Sequence, residues 1–181
     1  MLRKITVAGF GGQGVMLLGQ ILAHAGNEAG LNTLWYPSYG PETRGGTANC
    51  AVTISSEQIN SPTFSKATTL IIFNPPSMDK FKDRLVDDGV ILYNSNMIFE
   101  KVEKKKAKIY PIPANDIAVS LGNVRVANMV MLGAYIALYS EIPKKTILYS
   151  LEELIGKRAP KLVELNIKAV LAGIKYLKDK L

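Results

Sequence analysis

The chain has 181 residues, of which 48% are apolar, and its formal net charge is +7. This length and apolar content suit a globular domain with its own core and exclude a disordered or fibrous chain. Cys50 and His24 are the only residues of their types, so the sequence excludes an internal disulfide and a self-contained iron–sulfur cluster, and it predicts no metal site.

The first predicted elements are a strand, a glycine-rich loop and a helix. The strand covers Lys4–Gly9, a β-branched run that ends in glycine, and the helix covers Val15–Ala29, where apolar residues recur at helical spacing. A second short strand, Asn32–Tyr36, leads into a stretch too rich in proline and glycine for regular structure. Residues Thr47–Ser55 alternate as in a half-buried strand, with Cys50 on its inward face.

The middle of the chain alternates between strand and helix signals. Thr69–Asn74 is a continuous apolar run typical of a buried parallel strand, and Pro76–Leu85 offers a helix that opens with proline. The strand signal returns at Gly89–Asn94 and at Lys108–Pro111. Alternation at this spacing predicts βαβ units in a doubly wound sheet.

The last third of the sequence is predicted to be helical. Val124–Tyr139 is apolar nearly all round, which indicates a buried helix, whereas Lys145–Ile155 and Pro160–Leu177 carry lysines that leave one face in water. Since no repeat or long linker interrupts the chain, we expect one domain over residues 1–181. Its predicted fold class is α/β, a single Rossmann-like domain with a mostly parallel sheet flanked by helices and a helical C-terminal third.

Charge and hydropathy limit the partners of the domain. The run Lys101–Lys108 lacks the interleaved aromatic residues that stack on nucleic-acid bases, so we interpret it as a solvated face, with docking of an acidic redox partner as the alternative. The apolar stretch Val126–Tyr139 is shorter than the roughly 20 residues that cross a membrane. The opening MLRKITVAGF does not have the pattern of a secretory signal, so we expect a cytoplasmic protein with neither nucleic-acid nor membrane partners.

A glycine motif follows the first strand and opens the first helix. Residues 9–14 read GFGGQG and match the GxGxxG pattern. Between a strand and a helix, the backbone N–H groups of such a motif and the helix dipole bind a phosphate. We therefore predict a ligand-binding role for Gly9, Gly11, Gly12, Gln13 and Gly14. An ordinary NAD site is disfavoured, because residues 35–38 read WYPS where a dinucleotide site needs a carboxylate. The alternative is that the glycines only allow the strand and helix to pack tightly.

A second glycine loop follows the second strand. Arg44 offers a planar charged fork for a phosphate or carboxylate, Glu42 would orient it, and the adjacent glycines would let a ligand or neighbouring chain approach the backbone. The predicted binding residues of this loop are Tyr39, Glu42, Arg44, Gly45 and Gly46. The alternative is a Glu42–Arg44 ion pair on a surface turn, which would contribute little to stability.

A third motif begins the buried helix. Asn123 is a plausible N-cap, and Arg125 and Asn128 lie three residues apart on one face, where they either form hydrogen bonds within the domain or line a subunit interface. We include Asn128 among the predicted binding residues. No catalytic residue is predicted, because the sequence arranges no Ser, Cys or Asp with His24, which we interpret as structural.

Three segments in order, GFGGQG, PSYGPETRGGTANCAV and NVRVANMVMLG, resemble the gamma subunit of 2-oxoacid:ferredoxin oxidoreductases, and the match runs nearly the full chain. The resemblance implies an assembly with alpha, beta and delta-type subunits that bind thiamine diphosphate and iron–sulfur clusters. That assembly oxidatively decarboxylates a 2-oxoacid to an acyl-CoA and passes the electrons to ferredoxin. The gamma chain would bind no cofactor alone, and its glycine loops would lie near CoA, with Arg44 a candidate contact for a phosphate.

The resemblance leaves the substrate less defined than the family. The opening GFGGQGVMLLGQ resembles the 2-oxoglutarate enzymes more than the pyruvate or branched-chain ones. Two other functions remain open from the sequence. One is a stand-alone nucleotide- or NADP-binding protein with Arg44 on a ribose phosphate, and the other is a purely structural subunit that contacts no ligand.

Overall fold

The computed structural model describes residues 1–39, 46–156 and 159–181, without the Tyr39 side chain, and its centre is a six-stranded sheet. The strands are β1 (Leu2–Phe10), β2 (Asn32–Tyr39), β3 (Thr47–Ser55), β4 (Ala67–Ile72), β5 (Leu85–Asn94) and β6 (Lys108–Ile112). Their order is β2-β3-β1-β4-β5-β6, and only β3 runs antiparallel to its neighbours. This mostly parallel sheet with flanking helices confirms the predicted fold class.

Six described α-helices complete the fold. They are α1 (Val15–Glu28), α2 (Pro75–Phe81), α3 (Ala114–Ser120), α4 (Ala127–Leu138), α5 (Lys144–Gly156) and α6 (Pro160–Lys178), with 3-10 turns at Lys82–Arg84 and Val124–Val126. No described helix has both the length and the apolar character that crossing a membrane demands.

Two of these helices depart from the sequence prediction. The helix predicted over Pro76–Leu85 ends at Phe81, and Leu85 already belongs to β5. Helix α3 was not predicted, because its first turn is held from elsewhere in the chain. The Asn96 Oδ1 atom accepts hydrogen bonds from the backbone N–H groups of Asn115 and Asp116, and a cap from so distant a residue leaves no local pattern.

The two faces of the sheet are covered differently. Helices α1 and α3 to α6 pack on one face and form the larger core, while α2 packs on the other with a smaller cluster around Met78 and Phe81. Cys50 is fully buried under α1, which confirms its inward orientation. The half-buried pattern of β3 holds only up to Val52, because Thr53 and Ser55 are buried as well.

Helices α4 and α6 cross at two glycines with their backbones in contact. A Cβ atom at Gly133 would overlap the carbonyl oxygen of Val170, and one at Gly173 would overlap the carbonyl oxygen of Val130. Each glycine therefore faces the backbone of the other helix. This close approach is the tightest constraint on the helical layer that supports the candidate site.

Candidate functional site

The first glycine loop lies at the carboxyl end of β1, beside the start of β3. The N–H of Gly11 donates a hydrogen bond to the carbonyl oxygen of Gly46 at 3.1 Å, so the first loop touches the described end of the second. The neighbouring strands β1 and β4 lead through α1 and α2 to opposite sides of the sheet. Open α/β sheets bind ligands at the carboxyl ends of strands where the connections diverge in this way.

The glycines of the first loop fall into two groups. A Cβ atom at Gly9 would lie 2.5 Å from Gln13 Oε1 and 2.9 Å from Phe73 Cβ, and one at Gly14 would overlap the Asn128 amide. Gly9 and Gly14 therefore allow the strand and helix to pack closely, as the alternative to ligand binding expects of the glycines. At Gly11 and Gly12 a Cβ atom would meet no described atom within 4 Å. These two positions leave the backbone open to an approaching group.

Helix α1 begins at this loop without a side-chain cap of its own. Its N-cap is Gly14, in the left-handed region at φ 74°, which has no side chain to accept a hydrogen bond, and the first turn holds no acidic residue. The first N–H groups of a helix lack intrahelical partners and carry a partial positive charge. The arrangement therefore suits an anion, and Gly11 and Gly12 provide the open backbone beside it.

Gln13 folds beneath the loop and joins it to α2. Its Oε1 atom accepts hydrogen bonds from the Phe10 N–H at 2.6 Å and from Asn74 Nδ2 at 3.2 Å. Asn74, which is fully buried, also caps α2 by accepting a hydrogen bond from the Ser77 N–H. Sequence reasoning missed Asn74, although an asparagine between a buried strand and a proline is a detectable N-cap signal. Contact of Gln13 with a ligand stays a prediction.

Asn128 supports the loop from the other side. It is buried, its Nδ2 atom donates to the carbonyl oxygen of Gly14 at 3.2 Å, and its Oδ1 atom accepts from the Met129 N–H. Asn123 caps the turn before α4, as predicted, since its Oδ1 atom accepts from the Arg125 N–H. The expected hydrogen bonds within the domain are therefore present for Asn128, while the exposed Arg125 side chain forms none with the described residues.

Most of the second glycine loop lies outside the described residues. Glu42, Arg44 and Gly45 lie outside the described residues, as does the Tyr39 side chain. Gly46 is described, and it is the residue that accepts the hydrogen bond from Gly11. The predicted roles of this loop, and the alternative Glu42–Arg44 ion pair, stay predictions.

The single histidine and cysteine are held by their surroundings. His24 Nδ1 lies 2.9 Å from Ser150 Oγ, which fits the structural role expected for it. Burial raises the pKa of the Cys50 thiol to about 12, and the neighbouring Trp35 indole opposes that rise only in part. In the described ranges, no group of three or more His, Cys, Asp or Glu side chains is placed to hold a metal ion.

We expect Cys50 to be unreactive while the chain is folded. A thiol with a pKa of about 12 stays protonated at pH 8, and the thiolate is the reactive form. Because the unfolded chain loses this proton first, the contribution of Cys50 to stability is complete below about pH 9 and is lost as the pH rises towards 12. Labelling with a disulfide reagent should detect one thiol per chain only in denaturant, and fast labelling of the native chain would contradict this environment.

Sequence and structural comparisons decide the family. The model of the pyruvate ferredoxin/flavodoxin oxidoreductase family matches residues 4–176. The chain belongs to this family. A 2-oxoglutarate synthase subunit, KorC of Methanocaldococcus jannaschii, is 34% identical over 99% of this chain and 96% of its own length. The ketoisovalerate oxidoreductase subunit VorA of Methanothermobacter thermautotrophicus is 36% identical over 98% of this chain, which spans only 37% of VorA.

Solved structures of the family share the fold. The gamma subunit of a keto/oxoacid ferredoxin oxidoreductase from Geobacter sulfurreducens superposes with a TM-score of 0.82 at 29% identity, over 97% of this chain and 98% of that one. The 2-oxoglutarate:ferredoxin oxidoreductase from Magnetococcus marinus, with 2-oxoglutarate, coenzyme A and succinyl-CoA bound, gives a TM-score of 0.88 at 30% identity, over 99% of this chain and 31% of that one. These likenesses confirm the resemblance found in the three sequence segments.

Proposed function

We propose that the chain is the gamma subunit of a multisubunit 2-oxoacid:ferredoxin oxidoreductase and that its first glycine loop borders the CoA site of the assembled enzyme. The observation that carries the proposal is the open backbone at Gly11 and Gly12 beside the uncapped start of α1. A phosphate-bearing ligand fits there, because the first N–H groups of α1 lack intrahelical partners and the local field is positive. The CoA-bound enzyme of Magnetococcus marinus supports the choice of ligand.

The redox cofactors belong to other subunits in this proposal. A chain with one cysteine cannot supply the four thiolates that an iron–sulfur cluster typically needs. Thiamine diphosphate and the clusters would therefore be held by alpha, beta and delta-type partners, and ferredoxin would meet those partners rather than this chain. CoA supplies the thiol that accepts the acyl group, and the residues of this chain would bind and orient it.

The substrate we propose is 2-oxoglutarate. The opening GFGGQGVMLLGQ and the likeness to KorC along nearly the full length of both chains support it. A branched-chain 2-oxoacid is the second candidate, because VorA is a ketoisovalerate enzyme subunit of similar identity. The ratio of kcat/KM for 2-oxoglutarate and 2-oxoisovalerate, measured on the reconstituted enzyme, decides between them.

Replacing Gly11 by alanine tests the role of the loop. We expect the KM for CoA of the reconstituted enzyme to rise about tenfold or more, because the added methyl group occupies the space through which a ligand would approach. The melting temperature of the isolated chain should stay unchanged, since that methyl group meets no described atom within 4 Å. The measurements are a CoA titration of ferredoxin reduction and a thermal melt.

Gly156→Ala is the matched control, because its Cβ atom would make only an ordinary contact, 3.7 Å from Val163. It should leave both measurements near those of the parent. If Gly11→Ala also leaves the CoA dependence unchanged, the loop does not border the CoA site. A parent chain that never restores CoA-dependent ferredoxin reduction with its partner subunits would contradict the family function itself.

A further inference from the structure

A groove outside the glycine loops crosses the helical face of the domain. It consists of two cavities that share Leu17 of α1 and Leu154 of α5. The smaller, about 250 Å³, lies beside His24 and Trp35, and the larger, about 360 Å³, lies between the 3-10 turn before α4 and the start of α6. The two cavities are therefore adjacent, and both reach Leu17 in the first turn of α1.

The larger cavity has an apolar floor and an apolar rim. Val126, Ile155 and Leu162 line it, and Val126 and Ile155 belong to the core. Leu162 is 44% exposed, and Val124, which adjoins the lining, is 48% exposed. Single exposed apolar side chains are common on proteins, but apolar residues gathered around a cavity mark binding surfaces.

Two polar side chains line the same cavity. Asn166 is only 6% exposed, its Nδ2 atom donates to the Leu162 carbonyl oxygen, and its amide oxygen is a hydrogen-bond acceptor. The Arg125 guanidinium forms no ion pair with the described residues, and none of the described lining residues is acidic. The exposed Arg125 therefore gives this cavity a cation that no described carboxylate neutralises.

We propose that this groove is a docking site for an acidic, apolar segment of another subunit, an inference that rests on the proposed function. An apolar side chain of that segment would fill the larger cavity, its carboxylate would pair with Arg125, and a backbone N–H would donate to Asn166. Arginine beside an apolar pocket is typical of the residues that dominate binding energy at protein interfaces. The pairing is complementary in charge as well as in shape.

Two further observations favour a protein occupant. In VorA and in the Magnetococcus marinus enzyme, the matching segment is 37% and 31% of the polypeptide, so the domain is joined there to further protein. The groove also connects with the candidate site, because Asn128 lines the larger cavity and binds the Gly14 carbonyl oxygen. A segment docked there would therefore hold the start of α1 in place.

The test compares two leucines of α6. Leu162 lines the groove, whereas Leu171 does not. The two side chains are similarly exposed, at 44% and 39%. They are nine residues apart, which is about two and a half turns, so they lie on opposite sides of the helix. We expect Leu162→Asp to raise the Kd for the remaining subunits about tenfold or more, and Leu171→Asp to leave it unchanged. Arg125→Gln should also weaken binding and reduce its salt dependence. Binding of labelled chain to the subcomplex is measured by titration, and thermal melts verify folding.

Each outcome bears on one claim. If the parent chain does not bind the subcomplex, the proposed function fails. If the parent binds and Leu162→Asp and Leu171→Asp bind equally well, the groove inference is wrong and the proposed function stands. Two results would overturn the choice of occupant: a raised KM for CoA with unchanged Kd indicates a small ligand, and a shift of the isolated chain from dimer to monomer in Leu162→Asp indicates a second copy.

Discussion

Replacing Gly133 by alanine is expected to destabilise the chain by about 3 kcal/mol, at the upper end of the usual cost of overpacking. The new methyl group would overlap the backbone oxygen of Val170, which cannot rotate away as a side chain does. Helices α4 and α6 would have to separate, and α4 is buried along most of its length. The same argument applies to Gly173→Ala, where the overlap is with the Val130 oxygen.

A thermal melt measures the effect directly. For a chain of this size, 3 kcal/mol corresponds to a fall in Tm of about 6–12 °C. Gly156→Ala in α5 is the control, because alanine has the higher helix propensity and its Cβ atom would make only an ordinary contact there. The double variant at Gly133 and Gly173 should cost less than the two single variants added together, since the helices need to separate only once. A Gly133→Ala melt within about one degree of the parent would show that the crossing is loose.

The strands were the most predictable part of the fold. Apolar runs such as Thr69–Asn74 and Gly89–Asn94 are long enough to be detected locally, and each belongs largely to a strand. The short helices were less predictable, because their ends depend on distant residues. The first turn of helix α3 is capped by Asn96, which is 19 residues away from Asn115 in the sequence. The residues Ala114–Ser120 therefore carry no local signal for the start of this helix.

The candidate site shows the same division. The glycine motif was found from its sequence context, and the structure places it at the carboxyl end of β1 before α1. The separation of its glycines into packed and open positions was not predictable, since the atoms that crowd Gly9 and Gly14 belong to Phe73 and Asn128. Residues so far apart in the sequence meet only after folding. The predictions for Arg44 and its neighbours fall outside the described residues and stay predictions.

Replacing Gly14 by alanine is expected to destabilise the chain by about 2–3 kcal/mol, through two separable causes. The position has φ 74°, where a residue with a Cβ atom loses roughly 1–2 kcal/mol. The methyl group would also overlap the Asn128 amide, whose buried side chain has little room to move. Gly11→Ala, in the same loop but without either feature, should be close to neutral in stability.

A double-mutant cycle separates the two causes. Asn128→Ala alone should destabilise the chain, because the Gly14 carbonyl oxygen loses the hydrogen bond at 3.2 Å. In the variant that combines Gly14→Ala with Asn128→Ala, the overlap with the amide is absent and only a close contact with the Cβ atom at 3.2 Å remains. Its destabilisation should therefore be smaller than the sum of the single variants by about 1 kcal/mol or more. Denaturant unfolding of the four proteins gives the coupling. Additivity within about 0.5 kcal/mol would show that backbone strain alone limits this position and that Asn128 can yield. A coupling above that value would instead establish that α4 fixes the glycine loop through the contact between Gly14 and Asn128. A subunit docked beside Asn128 would act on the start of α1 through the same contact.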